Sequence, residues 1–223
     1  PLLAQDFRVI AVDQRGHGES AKPDTGYDFG TVAADLSGLF KELQAESPIL
    51  VGHSWGANVA LEYAATYQAA LSGLCLIDGG TIEISNNFPS LGEAKTKMAP
   101  PDFSGMTFDS FRARVRDIDF GYTITPEIQQ IIEANFEELA DGTIRARLSR
   151  TNHMAVIEAF WDQTPSQLYN RVVCPVLLMP ARGRGVRPKE WMERAEKSIA
   201  AAGDAMPLSK TFWLEDSVHD VPL

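Results

Sequence analysis

Ile49-Leu50-Val51-Gly52-His53-Ser54-Trp55-Gly56-Ala57-Asn58-Val59-Ala60 runs from a short apolar segment, through a serine bracketed by two glycines, into small helix-compatible residues. Ile49 to Val51 reads as a buried strand and Trp55 to Gln68 as a helix with Val59, Ala60, Tyr63, Ala64 and Tyr67 along one side. Gly52-His53-Ser54-Trp55-Gly56 is therefore a G-x-S-x-G on a strand-to-helix turn, the context that gives this motif its meaning. A serine on so tight a turn has its hydroxyl pushed out of the sheet, and small neighbours let the backbone take strained angles and pass close to other chain segments. The helix that starts there favours developing negative charge, and the Trp55 N–H is placed to donate to an oxyanion. The bland alternative is a glycine-punctuated turn with an incidental serine. A phosphate-binding loop would carry more glycines and a lysine.

Outward from this turn, apolar runs recur at Phe7 to Val12, Leu71 to Ile77, Val173 to Met179 and Thr211 to Leu214, and they read as parallel strands buried on both faces. Val32, Leu36, Leu39, Phe40 and Leu43 mark an amphipathic helix between the first two strands, and Lys189 to Ala202 another before the last. Strand, helix, strand is the α/β signature. The alternation stops between Thr81 and Arg171, where helical patterns predominate and no strand is expected. One predicted helix starts at Thr125-Pro126, carries Ile128, Ile131, Ile132, Phe136 and Leu139, and stops at Asp141-Gly142. A second begins near Thr143 and carries Leu148, His153, Val156, Ile157, Phe160 and Trp161. Asn86 to Pro101 is the most linker-like stretch.

Composition narrows the function. The 223 residues suffice for one domain with an insertion, and 44% hydrophobic content is ample for a core. Thirty acidic against twenty basic side chains give a formal net charge of −10, so nucleic acid and anionic membrane surfaces are not expected partners. Cys75 and Cys174 lie in apolar runs and imply no disulfide framework. No apolar run is long enough to span a bilayer, and the first residues lack the features of a signal peptide, so a cytoplasmic location is expected. No metal or organic cofactor is implied.

A serine hydroxyl needs a base. Of four histidines, His17 reads as structural or pocket-lining, His153 sits on an inserted helix, and His53 should point away from its neighbour Ser54. His219 follows the last strand after a short loop, at the edge where open parallel sheets present their sites.

Three segments, Val9-Ile10-Ala11-Val12-Asp13-Gln14-Arg15-Gly16-His17-Gly18-Glu19-Ser20, Gly52-His53-Ser54-Trp55-Gly56 and Ser217-Val218-His219-Asp220, together resemble the α/β-hydrolase fold family in the family's order. The resemblance implies a mostly parallel sheet with core residues 1–80 and 172–223 and a helical cap over 81–171. It also implies that the first strands, the loop supplying a second oxyanion N–H, and the last helix lie outside the chain. Members commonly carry the acid just after the strand that here is Pro175 to Met179, but Pro180-Ala181-Arg182-Gly183-Arg184-Gly185 offers no carboxylate. Some members place it after the preceding strand, where this chain has Asp78; Asp204, Asp216 and Glu190 are the reserves.

These features imply a Ser54, His219, Asp78 triad that hydrolyses a carboxylic ester or related acyl bond of a small, partly apolar molecule. Relatives that open epoxides or displace halide carry an aspartate at the position of Ser54. His53, Phe136, Phe160 and Trp161 are expected to line the substrate pocket, with Phe108, Phe111, Phe120 and Tyr122 nearby, although helical spacing more often means a segment's own core. Arg145, Arg147 and Arg150 suit an acidic substrate or, more simply, a solvated face. The alternative from another class is a ligand-binding protein that has lost turnover. Oligomeric state is not encoded in any of these features.

Overall fold

The computed structural model describes residues 2–68, 70–116, 123–183 and 188–219. The first long element is helix α1 (Phe29–Glu42), which Asp28 caps by accepting the Thr31 N–H at 2.8 Å. Strand β1 (Ile49–His53) leads through helix α2 (Trp55–Thr66) to strand β2 (Gly73–Ile77). Helices α3 (Leu91–Met98), α4 (Phe108–Arg116) and α5 (Pro126–Glu133), strands β3 (Phe136–Glu138) and β4 (Ile144–Ala146), and helix α6 (Arg150–Asp162) follow. Strand β5 (Val176–Met179), helix α7 (Lys189–Ala205) and strand β6 (Ser209–Thr211) complete the order.

The main sheet is parallel throughout, with order β1-β2-β5-β6, so each added strand extends it in one direction. The fold is α/β, as expected. Its core forms where α1 turns Phe29, Val32, Ala33 and Leu36 onto α2, and α2 covers β1 and β2. Leu76 and Leu178 occupy the centre at 1% exposure each, so truncating either to alanine removes about 2–5 kcal/mol. A separate cluster of Phe111, Val115, Phe136 and Ile144 forms inside the segment between β2 and β5. Among the described residues no helix is long and apolar enough to cross a membrane.

Three local expectations fail for physical reasons. Phe7 to Val12 is not a strand: a strand exists only as part of a ladder, and among the described residues no ladder partner stands beside it. Val9 and Ile10 are 53% and 43% exposed, as are Ile49 and Val51 on the outer edge of β1 at 57% and 54%. The helix predicted to run from Thr125 to Leu139 ends at Glu133. There the Asn135 side chain donates to the carbonyls of Ile131 and Ile132 at 3.1 and 3.2 Å, and the Asn135 N–H turns to the Ile132 carbonyl at 3.2 Å in a tighter turn. Asp141-Gly142, read as a helix stop, is instead the turn of the β3–β4 hairpin, with Gly142 at φ 79 and the Asp141 carboxylate accepting the Thr143 N–H. The following helix consequently starts at Arg150, where Ser149 accepts the Asn152 N–H.

Candidate active site

Ser54 lies between the last residue of β1 and the first of α2 with φ 53 and ψ −119, backbone angles that a residue with a Cβ rarely adopts. Its N–H donates to the Ile77 carbonyl at 3.0 Å, anchoring the turn to the end of β2. A Cβ on Gly52 would sit 2.2 Å from the Gly56 carbonyl oxygen, so the first glycine of the motif is needed for the turn to close. Gly79 plays an equivalent part from the neighbouring strand, since a Cβ there would lie 2.4 Å from the Ser54 carbonyl oxygen. Nothing in the sequence signals this second contact beyond a glycine after an aspartate.

Asp78 leaves β2 at φ 40, with its N–H donating to the Met179 carbonyl at 3.0 Å. Aspartate tolerates this left-handed region better than most side chains. One carboxylate oxygen accepts the Ala181 N–H at 3.0 Å, and the other lies 2.6 Å from His219 Nδ1. His219 Nε2 is 2.9 Å from Ser54 Oγ. The Asp78 side chain is 7% exposed and that of His219 49%, so the acid is held within the fold while the imidazole is half exposed.

The loop carrying His219 is fastened to the end of β5. Phe212 and Leu214 donate to Leu178 and Pro180 at 2.8 and 2.9 Å, and Gly183 donates to Ser217 at 2.8 Å. Arg182 follows β5, where the family resemblance leads a carboxylate to be expected. Its guanidinium lies 3.8 Å from the centre of the Trp213 ring and pairs with Glu196 and Glu215. The carboxylate at His219 Nδ1 is thus that of Asp78; the reserve candidates Glu190 and Asp204 lie on α7.

The pocket residues separate. His53 Nε2 lies 2.6 Å from the His219 carbonyl oxygen. Phe136 is buried in the cluster formed with Phe103 and Phe111, at ring separations of 4.9 and 4.6 Å, because its place on β3 turns it into the inserted segment's own core. Phe160 packs edge-on against Phe29, which in turn tilts against Trp55, so it lies on the nucleophile's side of the molecule. Trp161 is half-buried on α6, and Phe120 and Tyr122 lie outside the described residues. Phe111 belongs to the inserted core, while Phe108 lies under Arg112. Arg145 and Arg147 pair with Glu137 and Glu19 at 2.8 and 2.6 Å.

His17 stacks on Trp55 at 5.0 Å, an aromatic neighbour of Ser54 for which the sequence offered only a general pocket-lining reading. His153 is held below its ordinary value by burial first, and then by His17 and Arg150. Trp55 Nε1 and Gln14 Oε1 are buried without hydrogen-bond partners among the described residues. Among those residues, no group of three or more His, Cys, Asp or Glu side chains is placed to hold a metal ion.

A parallel α/β sheet with a serine elbow, and with a histidine and an aspartate converging on it, defines a class of protein. The sequence model of the alpha/beta hydrolase family matches residues 1–221, and the chain belongs to that family. It is 46% identical over 76 residues to the 2-(acetamidomethylene)succinate hydrolase of Mesorhizobium japonicum, covering 34% of this chain and 27% of that protein. It is 38% identical over 91 residues to the soluble epoxide hydrolase of a Corynebacterium species, covering 40% of this chain and 32% of that one. The matched stretches span about a third or less of these relatives' lengths. The crystal structure of an E-2-(acetamidomethylene)succinate hydrolase aligns with a TM-score of 0.78 at 25% identity, over 99% of this chain and 77% of that one.

Proposed function

We propose that the protein is a serine hydrolase that cleaves a carboxylic ester or a related acyl bond of a small molecule through an acyl-enzyme on Ser54. The continuous path from Ser54 Oγ through His219 to Asp78, at 2.9 and 2.6 Å, carries this reading. In it, Ser54 Oγ attacks the substrate carbonyl as His219 Nε2 takes its proton, and His219 returns that proton to the leaving group. Water then attacks the acyl-enzyme with the same histidine as base. Asp78 keeps the Nδ1 proton of His219 pointed at itself, which leaves Nε2 free to accept, and it stabilises the imidazolium formed during attack. The Trp55 N–H, at the start of α2, acts as an oxyanion donor.

The residue at the elbow favours acyl transfer over epoxide opening, the activity named for the Corynebacterium relative. Alkyl transfer to a carboxylate leaves an ester that water can reopen, whereas alkyl transfer to Ser54 would leave an ether with no carbonyl to attack. The acetamidomethylene group in the other relative's name extends the proposed substrates from esters to related acyl bonds. Residues 81–171 act as a cap over the site, with Phe160 and Trp161 as its contributions to an apolar pocket. Free Cys75 and Cys174 fit a reducing, cytoplasmic setting.

Intact mass and peptide mapping of the complete native-length protein after fluorophosphonate treatment test this. A single adduct on Ser54, lost in Ser54→Ala and slowed by about 10³–10⁴-fold in Asp78→Asn, is expected. A folded protein that binds esters yet stays unlabelled would sink the hydrolase reading in favour of a binding protein.

A further inference from the structure

We propose that His53 is a positioning residue that holds the main chain of His219 so that its imidazole spans Asp78 and Ser54. The proposal rests on the catalytic reading given above. His53 Nε2 lies 2.6 Å from the His219 carbonyl oxygen. A carbonyl oxygen only accepts, so Nε2 carries a proton and donates it there. The two rings are 5.1 Å apart and tilted by 41°, so the same side chain also packs beside the imidazole it supports.

His219 needs such support. Its side chain is 49% exposed, and the described main-chain bonds that fasten its loop to the end of β5 reach no further than Ser217. With residue 219 free to swing, the ring would trade a geometry that satisfies both Nδ1 and Nε2 for several that satisfy one. A misplacement of about 1 Å is enough to cost about 10²-fold in rate.

The place of His53 in the sheet explains why it suits this task. It is the last residue of β1 and stands in register with Ile77, the last residue of β2. Ser54 follows His53 and Asp78 follows Ile77, and the Ser54 N–H is itself bonded to the Ile77 carbonyl. A single rung of the sheet therefore fixes the nucleophile and the acid, and the His53 side chain ties the histidine's backbone to that same rung. All three groups share one reference frame. His53 Nε2 is engaged in this bond to the main chain of His219.

Fluorophosphonate labelling of Ser54, resolved into a maximal rate and a half-saturating concentration, separates these roles. In His53→Phe, which keeps a ring and loses the donor, the maximal rate should fall about 10- to 100-fold with the half-saturating concentration unchanged. His53→Gln, whose amide N–H has similar reach, should restore most of the rate. A His53→Phe protein that labels at the wild-type maximal rate, or that changes only its half-saturating concentration, overturns the proposal. Should His53→Phe fail to fold, the comparison passes to Gln against the shorter Asn: a slower Asn variant supports positioning, and equal rates overturn it. A wild type that stays unlabelled overturns the catalytic reading and this one together, whereas the other contrary results remove this one alone.

Discussion

Close approach of backbone to backbone at Ser54 sets demands that chemistry alone does not. Gly52 is demanded by the elbow itself, but Gly79 is demanded by the fit of β2 against it, with an added Cβ falling 2.4 Å from the Ser54 carbonyl oxygen and 2.9 Å from Ala57 Cβ. Neither neighbour is the end of a flexible side chain, so Gly79→Ala must push the end of β2 away from the elbow, and Asp78 moves with it. We expect Gly79→Ala to lower the labelling rate of Ser54 by at least about 10²-fold and stability by about 1–3 kcal/mol, read from a urea midpoint. An unchanged rate would show that the contact relaxes without moving Asp78 or Ser54. The positive φ of Asp78 itself, 40°, belongs to the same strained corner and is held by the N–H bonds to Met179 and from Ala181.

Glycine has the opposite meaning inside a helix. Gly38 lies in the exposed middle of α1, and a methyl group added there would meet nothing within 4 Å, so it contributes only unfolded-state freedom. Gly38→Ala is expected to raise stability by about 0.5–1 kcal/mol and leave Ser54 labelling alone, a paired measurement that a destabilised variant would contradict. Elements of this kind were legible from sequence: α1, α2 and α7 each show a helical apolar stripe, and β1, β2 and β5 are short apolar runs. Strand β6 pairs two residues ahead of the apolar run that announced it, starting at Ser209 rather than Thr211. Ser54 was singled out by its place between β1 and α2, His219 by its loop after the last apolar run, and Asp78 only through the family resemblance; the structure puts the His219 ring 2.9 Å from Ser54 Oγ and 2.6 Å from the Asp78 carboxylate. The β3–β4 hairpin was not, since Phe136 and Leu139 continue the helical spacing of α5 and only the Asn135 side chain and the Asp141-Gly142 turn break it. His53 was legible as a neighbour of Ser54 but not as a donor to His219, because the two are 166 positions apart and only the folded loop brings them together.

The segment between β2 and β5 joins the sheet and its helices through apolar contacts, Ala159 in the main core and Phe160 against Phe29, and through polar ones. Asn152 of α6 donates to Tyr27 Oη at 2.6 Å, Gln163 bonds Asn58 and Glu62 of α2, and Arg147 pairs with Glu19. His153 lies in the same junction, within the electrostatic reach of His17 and Arg150. Burial, reinforced by those two groups, keeps its folded pKa below the ordinary 6.5, so the native state holds it neutral where the unfolded chain would already take a proton. The stabilisation is complete above that unfolded value and is lost as pH falls from it toward the depressed folded one. Acidification from pH 7.5 to about 5.5 should therefore lower the urea midpoint of the wild type, and His153→Gln, which cannot titrate, should lose less over the same interval. Equal losses in the two proteins would place the acid sensitivity elsewhere, whereas a smaller loss in the variant makes His153 a point at which protons loosen the inserted segment from the face that carries Ser54.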